Sequence, residues 1–236
     1  MKLVLMAGGK GVRLQPLTYD TPKPMLLING KPILEHTIEW AKTQGITDII
    51  ICSGYLSNVI EKYFGDGSKL GVHIEYSVEK SPLGTGGPLR IIKEKLKEDF
   101  IVLSGDIVCK IDAKKLMQFH KKMKADATVV VQKGSHPEES DLIEYDKKGK
   151  VKHFWLKPHS AETPKIDKTN ASMYVLSPKS LSIIPEGSYN LERQLLPELL
   201  KQGKKVYAYY TEEFLEDMGS FDRMKQIEEM MKTGKI

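Results

Sequence analysis

Leu3-Val-Leu-Met-Ala-Gly-Gly-Lys-Gly-Val-Arg-Leu14 is the stretch from which the rest of this chain is read. Leu3 to Met6 is an apolar run suited to a first strand, and three glycines and an arginine follow directly. Glycines at that point let backbone N–H groups surround an anion without side-chain obstruction, and Arg13 adds charge for phosphate oxygens. The spacing is neither G-x-G-x-x-G nor G-x-x-x-x-G-K-[ST], which excludes a Rossmann fingerprint and a P-loop. Alone, the run is also compatible with glycines that merely turn the chain. Beyond it, Thr21-Pro-Lys-Pro-Met25 brackets Lys23 with two prolines that stiffen the backbone on each side. A lysine so flanked is held in place, although a solvent lysine in a proline loop has the same pattern.

Working outward, short β-branched runs alternate with longer amphipathic segments, the signature of a parallel sheet wrapped by helices. The pattern predicts strands at Leu3–Met6, Asp48–Cys52, Val72–Val78, Phe100–Leu103 and Ala127–Gln132. It predicts helices at Ile33–Thr43, Leu56–Tyr63, Thr85–Lys97 and Ala113–Met123. Leu142–Tyr145 and Val151–Phe154 flank Asp146-Lys-Lys-Gly149, a hairpin turn. Met173–Leu176, the segment from Leu191 to Lys201, Val206–Tyr209 and a helix from Phe221 complete the chain. No internal repeat or low-complexity linker interrupts it. The expectation is one domain over 1–236, with a nucleotide-binding half at about 1–112 and a sugar-phosphate-binding half at about 113–236.

Composition narrows the function classes. Hydrophobic residues make up 40% and charged residues 28%, as in ordinary globular proteins. The net charge of +5 comes from lysines interspersed with acidic neighbours, as in Glu94-Lys-Leu-Lys-Glu-Asp99, which reads as solvated helix faces and predicts no nucleic-acid partner. Cys52 and Cys109 form no C-x-x-C or Cys/His pattern and read as buried, reduced thiols. The opening apolar run is cut off by Gly8-Gly9 before it reaches the length of a signal-peptide core, and no stretch approaches the ~18 apolar residues of a membrane span. These features predict a cytoplasmic protein with no membrane partner; homo-oligomerisation stays open.

With both motifs in view, the chain resembles the sugar-1-phosphate nucleotidyltransferases, or NDP-sugar pyrophosphorylases, and among them the mannose-1-phosphate guanylyltransferase-like members. That family opens with L-A-G-G-x-G-x-R-L and a K-P loop, matched by Met6 to Leu14 and Pro22-Lys-Pro24. Asn29-Gly-Lys-Pro32, Gly65-Asp-Gly67 with Gly71, and Pro82-Leu-Gly-Thr-Gly-Gly-Pro-Leu89 extend the match through the chain. Ser104-Gly-Asp-Ile107, Phe154-Trp-Leu-Lys-Pro158, Asn170-Ala-Ser-Met-Tyr174 and Phe214-Leu-Glu-Asp-Met-Gly-Ser-Phe221 continue it. Two positions depart from the pattern: Leu156 stands where the family has a sugar-binding glutamate, and Ser172 where it has glycine.

The resemblance implies a nucleotide-diphospho-sugar transferase fold, a Rossmann-like α/β structure with a mixed, mostly parallel sheet flanked by helices; many relatives add a C-terminal β-helix, and with Ile236 soon after the helix that follows Asp217 none is expected here. It implies nucleotidyl transfer from a nucleoside triphosphate to a sugar 1-phosphate, with Mg²⁺ as cofactor. Arg13 and Lys23 would be catalytic, and Ala7, Gly8, Gly9, Gly11, Glu79, Gly84 and Thr85 would bind nucleotide. Asp106 and Asp217 would hold the metal, while Lys157 and Asn170 would hold the sugar phosphate. A capping or turn aspartate is the plainer reading of Asp106 taken alone, and Glu216 is an alternative to Asp217. Glu79 suits the N1–H and exocyclic amine of guanine, which favours GTP with mannose 1-phosphate or a related sugar phosphate. Thymidylyl or uridylyl transfer to glucose 1-phosphate, cytidylyl transfer to a polyol or lipid precursor, and a non-catalytic nucleotide-sensing homologue are the alternatives.

Overall fold

The structure, a computed structural model, describes residues 1–134 and 136–236. In chain order its elements begin with β1 (Lys2–Ala7), β2 (Leu27–Ile28), β3 (Lys31–Pro32), α1 (Ile33–Thr43), β4 (Asp48–Ser53), α2 (Ser57–Phe64) and β5 (His73–Val78). Next come α3 (Gly87–Ile91), β6 (Phe100–Ser104), β7 (Ile107–Cys109), α4 (Ala113–Met123), β8 (Ala127–Lys133), β9 (Leu142–Tyr145) and β10 (Val151–Trp155). The chain ends with β11 (Lys168–Leu176), α5 (Leu196–Lys201), β12 (Val206–Tyr210), β13 (Leu215–Asp217) and α6 (Phe221–Lys232). The fold is the expected α/β class, a mixed sheet flanked by helices.

The chain folds as two interleaved compact units. The first comprises Met1–Pro82, Leu103–Asp112 and Glu213–Ile236. Its ladder is parallel, with β1 pairing β4 from Lys2↔Asp48 to Ala7↔Ser53, and β4 pairing β5 from Asp48↔His73 to Ser53↔Val78. Leu3, Val4, Leu5 and Ile49 to Ile51 have no solvent exposure, so these strands are continuous apolar runs rather than alternating ones. Helix α1 buries Ile33, Leu34, Ile38 and Ala41 and is tied by Thr37 Oγ1 to Ile107 O (2.6 Å) and by Trp40 Nε1 to Ile111 O (2.9 Å). A small core of Leu14, Leu26, Ile28, Ile33, Val108, Met218 and Ile227 gathers the opening loop, the β7 segment and the returning C-terminal chain.

The second unit comprises Leu83–Val102 and Ala113–Glu212. In it β8 lies between antiparallel β11 and parallel β12, and the β9–β10 hairpin pairs antiparallel. Helix α4 packs on β11 and β12, and α5 on β10 and β12.

Two expectations need correction, and one ladder was not expected. The helix predicted over Thr85–Lys97 is two short pieces, α3 and a 3-10 turn at Lys93–Lys95, because the chain before α3 is held in a turn and Pro88 suits only a first helical turn. Strand β11 begins at Lys168, five residues before the apolar run that signals it, and carries a register shift between Asn170 and Tyr174. The β7–β13 ladder has no signal in either three-residue segment, since its partners come from far apart in the chain.

Met218 is fully buried in the small core of the first unit. Met218→Ala is expected to lower the unfolding free energy by about 2–5 kcal/mol, read from urea denaturation. In the second unit, His120 is buried with Nδ1 on Thr128 Oγ1 (2.8 Å) and Nε2 3.7 Å from Asp99. Burial holds its pKa below the ordinary 6.5, opposed by the charges of Asp99 and Asp126 and aided by Lys121. The unfolded chain therefore takes up this proton more readily, and stability falls as pH drops below about 6.5. His120→Gln is expected to flatten that part of the stability profile.

Candidate functional site

The first unit gathers one set of predicted residues after the C-terminal ends of its strands. Ala7 closes β1, and Gly8, Gly9 and Gly11 form the turn that follows. A Cβ on Gly8 would stand 2.7 Å from Glu79 Oε1, and one on Gly54 2.7 Å from Glu79 Cγ, so both glycines make room for the Glu79 side chain. Gly11 is left-handed, its carbonyl accepts from Thr18 Oγ1 (2.9 Å), and Lys23 Cβ lies against it.

Asp106 sits in the turn between β6 and β7, hung from β1 by the bond from Gly105 N–H to Met6 O (2.9 Å). Lys23 Nζ forms an ion pair with Asp106 Oδ2, and Ser104 Oγ donates to Oδ1 (2.5 Å). Burial pushes the Asp106 carboxyl up, but the charge and hydrogen bond of Lys23, with Ser104, hold it below the usual carboxylate range. The carboxylate is thus kept ionised by a cation already at its side. Asp217 ends β13 opposite Ile107, and the next amide, Met218 N–H, donates to Asp106 O (2.9 Å). Its Oδ2 accepts from Arg223 (2.5 Å), placed at the first turn of α6 by the Ser220 cap. A Cβ on Gly219 would meet Asp217 Oδ1 and stand 3.5 Å from both terminal nitrogens of Arg13. The backbones of the two aspartates are therefore neighbours, with Lys23 at one and Arg13 and Arg223 at the other.

In the second unit, Gly84 has φ +72° and Thr85 Oγ1 is engaged by Glu192 Oε2 (2.5 Å) and Leu191 N–H (2.9 Å). Asn170 Nδ2 donates to Tyr174 Oη (2.9 Å), and Ser172 N–H donates to Asn170 Oδ1 (3.0 Å). Lys157 is exposed, with Nζ on Glu139 O (2.8 Å) and its backbone N–H on Asp141 Oδ1 (2.9 Å). Asp141 links it to Asn170, whose backbone N–H donates to Asp141 O (3.0 Å), and no direct bond between the two is seen among the described residues.

Sequence reasoning missed Glu192 and Arg223, which lie in no recognised motif, and passed over Ser104 although it stands beside Asp106. Among the described residues one group of three side chains has metal-ligand spacing, Asp48, His73 and Glu75. These lie on β4 and β5 near the strand ends opposite the Asp106 turn, with Lys2 Nζ 3.0 Å from Asp48 and 3.9 Å from Glu75.

A glycine turn after the first parallel strand, with lysine and arginine set against two adjacent aspartates, defines an α/β protein arranged around charged groups. Residues 2–233 match the nucleotidyl transferase family, and the chain belongs to it. The chain is 37% identical over 220 residues to the mannose-1-phosphate guanylyltransferase of Mycobacterium tuberculosis, covering 92% of this chain and 60% of the relative. It spans about three fifths of the length of the curated relatives it matches. HddC from Yersinia pseudotuberculosis, complexed with GMP-PN, superposes with TM-score 0.83 at 25% identity over 98% of this chain and 99% of that one. A putative glucose-1-phosphate thymidylyltransferase from Bacillus anthracis superposes with TM-score 0.86 at 23% identity over 98% and 94%, a likeness of fold.

The left-handed φ of +55° at Ser172 explains the glycine at this position of the family pattern. Ser172→Gly is expected to raise the unfolding free energy by about 0.5–1 kcal/mol, the relieved strain exceeding the added freedom of the unfolded chain. Thermal and urea unfolding measure it. Gly219→Ala, by contrast, is expected to shift the Asp217 carboxylate, seen as a loss of any divalent-cation stabilisation that the wild type shows.

Proposed function

We propose that this chain transfers a nucleoside monophosphate from a nucleoside triphosphate to a sugar 1-phosphate, with guanylyl transfer to mannose 1-phosphate or a related sugar phosphate as the leading pair. The observation that carries the reading is the β7–β13 pairing, which sets Asp217 beside the Asp106 turn, with Lys23 on Asp106, Arg223 on Asp217 and Arg13 near the adjoining Gly219. The name of the Mycobacterium tuberculosis relative and the GMP-PN bound by HddC support guanylyl transfer, as does the placing of Glu79 against Gly8.

In the reaction an oxygen of the sugar phosphate forms a bond to the α-phosphorus, the bond from that phosphorus to the α,β-bridging oxygen breaks, and pyrophosphate leaves with the electron pair. The attacking oxygen is already ionised at neutral pH, so no protein base is needed; what the chain supplies is alignment and positive charge. Arg13 holds the leaving pyrophosphate, and Lys23 offsets charge at the α-phosphate. Ala7, Gly8, Gly9 and Gly11 present backbone to the nucleotide and Glu79 accepts from its base. In the second unit, Gly84 and Thr85 belong to the nucleotide-binding segment, and Lys157 and Asn170 bind the sugar phosphate.

The donor set fits a hard divalent cation: Asp106 and Asp217 offer carboxylate oxygens from adjacent backbones, and Lys23 with Ser104 holds the Asp106 carboxyl below the usual carboxylate range. Mg²⁺ held by these two residues would neutralise charge on the phosphorylated substrates. No helix among the described residues is long and apolar enough to cross a membrane. Cys52 and Cys109 are free and buried, and unpaired thiols suit a reducing, cytoplasmic setting.

The test is pyrophosphate release across GTP, dTTP, UTP and CTP with several sugar 1-phosphates. Release with GTP and mannose 1-phosphate is expected, and Asp106→Asn or Asp217→Asn should lower turnover about 100-fold or more with circular dichroism unchanged. Release confined to dTTP or UTP would overturn the guanylyl assignment, and no release with any pair would overturn the catalytic one.

A further inference from the structure

Glu192 belongs to no motif of the opening reading, yet it ends a chain of hydrogen bonds whose direction is determined by which groups can only donate. Ser172 N–H can only donate, so the Asn170 atom facing it is Oδ1 and the amide nitrogen faces Tyr174. Asn170 Nδ2 then donates to Tyr174 Oη (2.9 Å), and the single tyrosine proton has two acceptors in reach, Asn170 Oδ1 at 3.1 Å and Glu192 Oε1 at 3.2 Å. Asn170 Oδ1 already accepts from the Ser172 N–H, and a carboxylate is the stronger acceptor of the two, so the proton goes to Glu192. From the other side, Leu191 N–H donates to Thr85 Oγ1, whose own proton goes to Glu192 Oε2 (2.5 Å). Glu192 accepts from both sides and donates to neither. Tyr174 is buried, 2% exposed, so misdirection of this chain is not repaired by solvent.

We propose that Glu192 is a positioning residue that polarises this chain, fixing the Asn170 carboxamide so that its second N–H is offered to an oxygen of the sugar phosphate substrate. It simultaneously pins Thr85, and with it the Pro82–Leu89 segment. Among the described residues that second N–H has no protein acceptor. The consequence is a site that recognises a hydrogen-bond acceptor here, a sugar hydroxyl or phosphate oxygen, and not a group that can only donate. The inference rests on the reading of Asn170 as a sugar-phosphate contact.

Two isosteric variants separate the two arms of the chain. Tyr174→Phe removes the link from Glu192 to Asn170 and leaves Thr85 pinned, so the KM for the sugar 1-phosphate is expected to rise about tenfold with the nucleotide KM within about twofold of wild type. Glu192→Gln replaces an acceptor with a donor on one side and is expected to raise both KM values. The double variant should be no worse for the sugar phosphate than the poorer single one. Both KM values unchanged in variants that merely melt earlier, or equal rises for both substrates in Tyr174→Phe, would overturn the proposal. A readout free of catalysis is the side-chain amide pair of Asn170 in ¹⁵N NMR spectra, where one proton is expected to lose its shifted, slowly exchanging character in Tyr174→Phe. If wild-type protein releases no pyrophosphate but this amide change is seen, the functional reading fails and the polarised chain stands. If the amide pair is unchanged, the chain itself is refuted.

Discussion

The Asp106 carboxylate, in a turn and only 19% exposed at its side chain, needs a positive partner, and that requirement organises the first unit. Desolvation by itself would raise its pKa; Lys23 and Ser104 reverse the balance. Lys23 can serve because the proline-bracketed loop delivers it there, and the loop is in turn seated by Met25 and Leu26, both buried. Remove the ion pair and the glycine turn, the loop and the β6–β7 turn lose their common reference.

That same turn is a docking point for the far end of the chain. The Met218 amide bonds the Asp106 carbonyl, Met218 fills the small core with Leu14 and Ile227, and Asp217 is thereby set next to Asp106. An apolar side chain and a polar neighbour divide the work: burial of Met218 supplies the stabilisation, and the ladder register fixes which carboxylate faces the turn. Arg223 then pairs with Asp217, as Lys23 does with Asp106, and Arg13 approaches the neighbouring Gly219. Each carboxylate has its own cation, Lys23 for Asp106 and Arg223 for Asp217.

The second unit uses direction where the first uses charge. Its bulged strand β11 turns Ser172 into the left-handed region so that one backbone N–H can orient Asn170, and Glu192 sets the sense of every proton between Asn170 and Thr85. Bulges next to binding sites re-aim side chains at the cost of local strain. The serine in place of glycine is therefore a change in backbone cost more than in available space.

Helices α1 and α4 and strand β9 lie where the residue pattern places them, because apolar periodicity, turn chemistry and local propensity act over a few residues and are written in them. The glycine run after β1 is likewise local, and its place at a strand end follows from the sequence alone; the bracketing of Lys23 is local too, but its place beside Asp106 is not. Which partners those residues meet is another matter. Nothing near Glu192 announces Thr85, 107 positions away, and nothing in Leu215–Asp217 announces a ladder with Ile107–Cys109. Arg223 next to Asp217 depends on where α6 is capped. Local sequence thus determined the elements and the kind of chemistry they carry. Tertiary structure decided which donor meets which acceptor, since a hydrogen bond or ion pair is directional and short-ranged and exists only once distant segments have packed.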